Sequence, residues 1–171
     1  NRSWSAQFSR DGRRLLVAQS IGADVEYDSA CLYEVPGGNK LKVEFLHQSG
    51  VSWAEFSHDE KRVATASLDG TACIWDSATG NALIEPIRHA ERIERVHFSH
   101  DDQRVVTGSW DGTARIWDAA TGRPLSEPCR HRGLVTEALI SPDGRFAATA
   151  GIDGRVMVRD CPAVSDGPSQ L

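Results

Sequence analysis

Three groups of residues have the makings of proton-transfer or nucleophilic chemistry: His47, Thr65 and Asp69; His89, Thr107 and Asp111; and His131, Thr149 and Asp153. An imidazole can move a proton, a hydroxyl can attack once deprotonated, and a carboxylate can orient the imidazole. Each group, however, is the previous one displaced by 42 residues. The same step carries Trp75-Asp76 to Trp117-Asp118, and Asp69-Gly70 to Asp111-Gly112 and Asp153-Gly154. A fixed period of this size denotes a repeat architecture. Residues that look catalytic singly are suspect as catalysts when they occur once per structural unit.

The unit that positions them is legible in the stretch that follows His47. Val51-Ser52-Trp53-Ala54-Glu55-Phe56 is apolar-rich and of strand length, 57–61 is polar and turn-forming, and 63–67 is a second short strand. Asp69-Gly70 is a hairpin signal, because Gly tolerates positive φ and Asp bonds its own backbone. In 71–75, Cys73 and Trp75 share one face while Ala72 and Ile74 share the other, so both faces are expected to be covered. Ala78-Thr79-Gly80-Asn81 turns the chain, and 82–84 is expected to supply a fourth, outer strand. No helical spacing of apolar residues occurs. Each repeat therefore reads as a four-stranded antiparallel sheet, too thin to bury its own faces, which must stack on its neighbours.

The order His, strand, Ser-Pro-Asp-Gly-like turn, Thr-x-x-x-Asp-Gly-Thr and Ile-Trp-Asp resembles the WD-repeat family of β-propellers over about residues 1–160. The phrasing Trp-Asp-x-Ala-Thr-Gly and the little-diverged copies are similar to bacterial arrays of that family, often joined to a protein kinase or a signalling NTPase. The implied fold is all-β, with four stacked antiparallel sheets in an incomplete or open ring. Its repeats run approximately 1–46, 47–88, 89–130 and 131–160, followed by a polar tail at 161–171. The resemblance also implies a hydrogen-bonded structural tetrad in each repeat: His47, Thr65, Asp69 and Trp75, then His89, Thr107, Asp111 and Trp117. The last repeat keeps His131, Thr149 and Asp153 but has Arg159 in the Trp position. The first has Tyr33-Glu34 and no Asp-Gly turn in register. Its Phe8 lies 48 residues before Phe56, against 42 from Phe56 to Phe98, so a longer hairpin is expected around 21–27.

Counting from Phe8, the chain begins two positions past where a first-repeat His would stand, and 161–169 carries no strand signal. Propellers of the family most often close with seven blades. A fragment of a longer propeller, or an open array that self-associates through its exposed blade ends, is therefore expected.

Composition excludes several classes of function. The net charge is −5 and the arginines are scattered singly, so no nucleic-acid footprint exists. No apolar stretch is long enough to span a membrane as a helix. The four cysteines form no CxxC pair and read as free thiols in a reducing, cytoplasmic setting. His58 and His100 share one turn position and His97 lies within a strand, which leaves no metal cluster and no cofactor site. Asp24, Glu26 and Asp28 alternate in the first-repeat insertion. A weak cation site is one reading of them, and a solvated acidic loop is the favoured one.

On the family's loop face, register assigns partner-binding positions Gly50, Ser52 and Leu68; Arg92, Glu94 and Trp110; and Leu134, Thr136 and Ile152, with Arg2 and Trp4 from the first repeat. Leu68, Trp110 and Ile152 are apolar at the same point of three successive repeats. Together with Arg92 they have the composition of an interaction hot spot, with Trp110 as its anchor. The expected function is a non-catalytic scaffold for a peptide or protein partner. The alternatives are a sensory segment of a larger signalling protein such as a kinase or NTPase and, less favoured, an enzyme with a site at the channel mouth.

Overall fold

The computed structural model describes residues 2–20 and 28–164, with side chains for residues 5–19 and 28–164. Among the described residues there are fifteen strands and no helix. The first sheet holds β1 (Arg2–Phe8), β2 (Arg14–Ser20), β3 (Asp28–Glu34) and β4 (Lys40–His47). The second holds β5 (Val51–Phe56), β6 (Arg62–Ser67), β7 (Thr71–Asp76) and β8 (Ile87–Arg88). β9 (Ile93–Phe98), β10 (Arg104–Ser109), β11 (Thr113–Asp118) and β12 (Cys129–Arg130) form the third. β13 (Val135–Ile140), β14 (Phe146–Gly151) and β15 (Val156–Asp160) form the last, which has three strands among the described residues. Every sheet is an antiparallel meander in chain order.

The outer strand differs in place from the sequence expectation. Residues 82–84 contribute only an isolated bridge, Trp75 to Ala82, and the outer strand is the short β8 at Ile87–Arg88. Pro86, which has no N–H to offer a ladder, interrupts the pairing between them. The hairpin expected around 21–27 lies outside the described residues.

Three cores lie between successive sheets. Leu16, Leu32 and Phe45 of the first sheet meet Val51, Phe56 and Val63 of the second. Ala66, Ala72, Ile74 and Ile87 then meet Ile93, Phe98, Val105 and Trp117. Val106, Ala114 and Ile116 meet Val135, Ala138 and Ala147. Each of these cores mixes alanines with large aliphatic or aromatic side chains.

The first strand of a sheet packs against the first two strands of the sheet before it, and in the second and third sheets its backbone edge is closed by side chains from that preceding sheet. Gln7 Oε1 accepts the Phe56 N–H (2.8 Å), Glu55 Oε1 accepts the Phe98 N–H (2.6 Å) and Ser5 Oγ accepts the Ala54 N–H (3.1 Å). Donors that would be orphaned at a sheet edge are satisfied in this way. Each first strand also carries a register shift near its start, opposite which one residue has no partner: Ser52 between Val51 and Trp53, and Thr136 between Val135 and Glu137. A bulge re-aims the side chains around it, and these bulges sit on the loop face.

Candidate functional site

In the second sheet, His47 ends β4 of the first sheet and reaches across the junction. Its Nε2 lies 2.6 Å from Thr65 Oγ1, and its Nδ1 lies 3.3 Å from Asp69 Oδ2. The Trp75 indole N–H donates to the same Thr65 oxygen at 2.8 Å. The third sheet repeats the set: His89 Nε2 to Thr107 Oγ1 at 2.7 Å, His89 Nδ1 to Asp111 Oδ2 at 3.0 Å, and Trp117 N–H to Thr107 at 2.8 Å. The network assigns the tautomer. Nδ1–H donates to the carboxylate, Nε2 accepts from the threonine hydroxyl, and the hydroxyl oxygen accepts from the indole. Each proton is already committed, so none is poised for a substrate.

The last sheet keeps only part of the chain. His131 reaches Thr149 (2.9 Å) and Asp153 (3.2 Å), but Arg159 turns away to donate to the Glu127 carbonyl (2.9 Å). Thr149 then faces the Cys129 sulfur at 3.6 Å. Two further members were not picked out in the sequence: Thr71 and Thr113 donate their hydroxyls to Asp69 (2.5 Å) and Asp111 (2.6 Å). Their signal was the residue after Asp-Gly, Thr in both complete repeats and Arg155 in the last.

On the loop face, backbone hydrogen bonds pair the register-assigned residues. The Leu68 N–H donates to Gly50 O (2.8 Å), Trp110 to Arg92 O (3.0 Å) and Ile152 to Leu134 O (3.0 Å). In the third repeat the side chains converge as well. The Arg92 guanidinium lies 3.5 Å from the Trp110 ring centroid, and the Trp110 N–H donates to Glu94 Oε2 at 3.0 Å. Trp110 remains 38% exposed, and Ile152 is more exposed still. The turn after Trp110 and the Ile152 side chain both approach Gly133: a Cβ at Gly112 would lie 3.3 Å from Gly133 O, and one at Gly133 would lie 2.7 Å from Ile152 Cγ1. Glycine at 112, with φ of 77°, permits this close turn.

Other assigned positions are placed differently. Ser52 is only 3% exposed; its hydroxyl donates to Ile93 O (2.6 Å) and lies 3.1 Å from Ala66 O, so it faces the junction between sheets and not a partner. Gly50 is buried, and Leu68, Leu134 and Thr136 are half-buried, with the Thr136 hydroxyl donating to Ala150 O (3.2 Å). The side chains of Arg2 and Trp4 lie outside those described, as do Asp24 and Glu26. Asp28 is buried at the start of β3, opposite His47 in the ladder, rather than in a solvated loop.

The repeat family described as WD domain, G-beta repeat matches residues 38–76, 83–118 and 122–160. The chain belongs to this WD-repeat family. Each matched stretch begins with or before an outer strand and runs through the three strands of the next sheet, so a WD repeat straddles two sheets and its tetrad is a clasp between them. Repeats of the family generally act as scaffolds for protein–protein interaction and are typically non-catalytic. No curated protein sequence matches the chain. Among solved structures, it is similar to the computationally designed Ika4 protein, with 25% identity and a TM-score of 0.79 over 94% of this chain and 91% of that one. It is similar to the computationally designed Ika8 protein with the same identity and TM-score, over 94% of this chain and 46% of that one. The chain thus spans less than half the length of Ika8. No helix among the described residues is long and apolar enough to cross a membrane.

The electrostatics of the WD-repeat clasps suit a lock. Burial works against ionising Asp69, but bonds from His47 and Thr71 outweigh it and hold the carboxyl below the usual range. Burial likewise opposes ionisation of Asp111, and Thr113 and His89 reverse that. Asp153 is drawn down to about 2, chiefly by the Arg132 N–H. Burial pushes His89 below its ordinary value, against the pull of Asp111. The third-sheet clasp therefore holds a neutral His89 imidazole beside an ionised Asp111 carboxylate.

One cluster went unrecognised in the sequence. His97 stands between Glu55 (2.6 Å) and Glu137 (3.2 Å) on three neighbouring first strands, with Arg95 over Trp53 at 4.5 Å beside it. Burial disfavours the His97 cation, but the two carboxylates overcome this and raise its pKa. Glu55 and His97 hold the same position in successive repeats, so the register already placed them on adjoining strands, though not in contact.

Proposed function

We propose that this WD-repeat chain is a non-catalytic scaffold that docks a peptide or protein segment on its loop face, with Trp110 as the anchor. The observation that carries this reading is the state of Trp110. Its N–H is bound by Glu94 and one ring face is covered by Arg92, yet the indole stays exposed. An aromatic ring held in place loses little freedom on binding, and aromatic and Arg residues are the usual centres of interface energy. Ile152 extends the apolar surface across Gly133. Because the indole donor is already used, the partner is expected to offer apolar or cationic groups to the ring rather than an acceptor to its nitrogen. Cys31, Cys73 and Cys129 are buried free thiols, which suits a reducing, cytoplasmic setting.

The test is selection of peptides from a random displayed library on the folded chain, followed by affinity measurement on Trp110→Ala and Ile152→Ala proteins. Selected peptides are expected to bind Trp110→Ala at least tenfold more weakly, the effect of losing about 1.4 kcal/mol or more. Peptides that bind Trp110→Ala with unchanged affinity, while circular dichroism shows the fold intact, would refute the assignment.

A further inference from the structure

Both ends of the stack present surface of the kind that is buried inside it. On the last sheet, Val156 and Val158 hold the positions of Ala114 and Ile116 one repeat earlier and of Ala72 and Ile74 two repeats earlier. Val158 is 65% exposed, whereas Ile74 and Ile116 are 1% and 3% exposed. On the first sheet, Phe8 holds the position of Phe56 and Phe98 and is 61% exposed against 6% for each of them. Leu15, Val17 and Tyr33 continue that face and line an open hollow of about 290 Å³. Among the described residues nothing covers either face.

Inside the stack, one recurring bolt joins each sheet to the next. Arg14, Arg62 and Arg104 open the second strands, and each reaches a left-handed residue in the first turn of the following sheet: Glu60 (φ 58°), Asp102 (φ 58°) and Gly144 (φ 71°). Arg14 pairs with the Glu60 carboxylate at 3.2 Å, Arg62 donates to Asp102 O at 2.6 Å, and Arg104 donates to Gly144 O at 3.0 Å. Arg14 and Arg62 also lie over the rings of Phe56 and Phe98, at 5.1 and 5.3 Å. The last sheet alters one half of this bolt: its Arg position is Phe146, an exposed ring flanked by Arg145 at 5.4 Å, while on the first sheet Gly12 (φ 68°) keeps the left-handed turn as Gly144 does. A last-to-first junction would set Phe146 against Phe8 where the first two junctions set Arg over Phe. Aromatic pairs of this kind are favourable.

We propose that two copies of this chain associate head to tail, the Phe146–Val158 face of each seated on the Phe8–Leu15 face of the other, to close a ring of eight sheets. The contact stacks the same two apolar faces that meet at each internal junction, without the Arg bolt. A head-to-tail contact closes only when the rotation between units fits; otherwise it grows as a filament. The four sheets overlay 91% of Ika4 and 46% of Ika8 at the same TM-score of 0.79, so the rotation found here also occurs within a chain about twice as long.

Sedimentation velocity and light scattering on the 171-residue chain are expected to give twice the chain mass across a wide concentration range. Phe8→Asp and Val158→Asp alter residues exposed in the single chain, so circular dichroism is expected to be unchanged while association weakens at least a hundredfold. A short bismaleimide, with cross-links mapped by peptide mass spectrometry, is expected to join position 8 to position 146 in a mixture of Phe8→Cys and Phe146→Cys chains. It is expected to join neither variant to itself at those positions. Four results would overturn the proposal: a chain that stays at its own mass, which would leave the faces to a different protein; mass that grows without limit; association indifferent to both Asp substitutions; or self-linking of a single Cys variant, which would mean that like faces meet.

Discussion

Replacing Thr107 by Val separates a lock from a bystander, because it keeps the branched shape and removes one hydroxyl. That hydroxyl serves two buried partners, the Trp117 N–H at 2.8 Å and His89 Nε2 at 2.7 Å. Leaving a buried polar group unpaired costs roughly 1–3 kcal/mol, so the two orphans together are expected to cost about 2–5 kcal/mol. Thr65→Val removes the same pair of bonds, to Trp75 and His47, and is expected to cost about as much. In the last sheet, Thr149 serves His131 and, at 3.6 Å, only a sulfur, so Thr149→Val is expected to cost about 1–3 kcal/mol. The assay is guanidinium unfolding followed by far-UV circular dichroism at one fixed protein concentration, with midpoints compared at unchanged slope. A Thr107→Val midpoint equal to that of the wild type would refute the reasoning. So would a Thr149→Val loss as large as that of Thr107→Val, since the missing indole would then be irrelevant.

Acid is expected to loosen the fold in two stages. His89 is held below its ordinary 6.5, so its contribution is complete above that value and lost as pH falls from there through the lowered one. Asp69 and Asp111 are held below 3.8, so theirs is complete above 3.8 and lost only as pH falls through their lowered values. His97 has the opposite sign: raised above 6.5, it stabilises below that value, and its contribution fades as pH rises through the raised one. His97→Gln is therefore expected to lose more stability near about pH 6 than near about pH 9; unfolding midpoints at the two values check this, and a larger loss at the higher pH contradicts it. Asp102→Ala removes acceptors for the His58 and Asp59 N–H groups (2.8 and 2.9 Å) and places Ala in a left-handed conformation, at an expected cost of about 2–4 kcal/mol. Asp102→Gly, relieved of that strain, is expected to cost less but not nothing; a midpoint equal to the wild type would remove the capping role. Burial pushes the Cys73 thiol up to about 12, so iodoacetamide is expected to label the half-buried Cys161 first, and equal rates at the two sites would contradict the buried placement.

The fold was legible because its signals are local and repeated. Asp-Gly turns, two-faced apolar strands and a fixed 42-residue step each state the same architecture. The outer strand was misplaced because its two residues, Ile87 and Arg88, carry no alternation, and Pro86 displaces the pairing from Ala82. On the loop face, Arg92, Glu94 and Trp110 came together, whereas Ser52 did not. Both Ser52 and Glu94 stand at bulges, which leave no mark in hydrophobic spacing, but the short Ser52 side chain is held inward by Ile93 O while the longer Glu94 reaches Trp110. The bolts were hidden for a similar reason. Glu60 and Asp102 look like surface acids, and only their positive φ aims them at the previous sheet. The His97 cluster needed three sheets to be stacked before its charges met.

Deuterium exchange of the indole N–H groups, followed residue by residue in NMR spectra of the native chain, tests most directly whether the recurring tryptophans belong to the lock and Trp110 to the surface. Trp75 and Trp117 donate to inward-facing threonines and are expected to exchange slowly, while Trp110, bound only to Glu94 at the exposed face, is expected to exchange fast. Fast exchange at Trp75 and Trp117, or protection of Trp110 equal to theirs, would contradict the account.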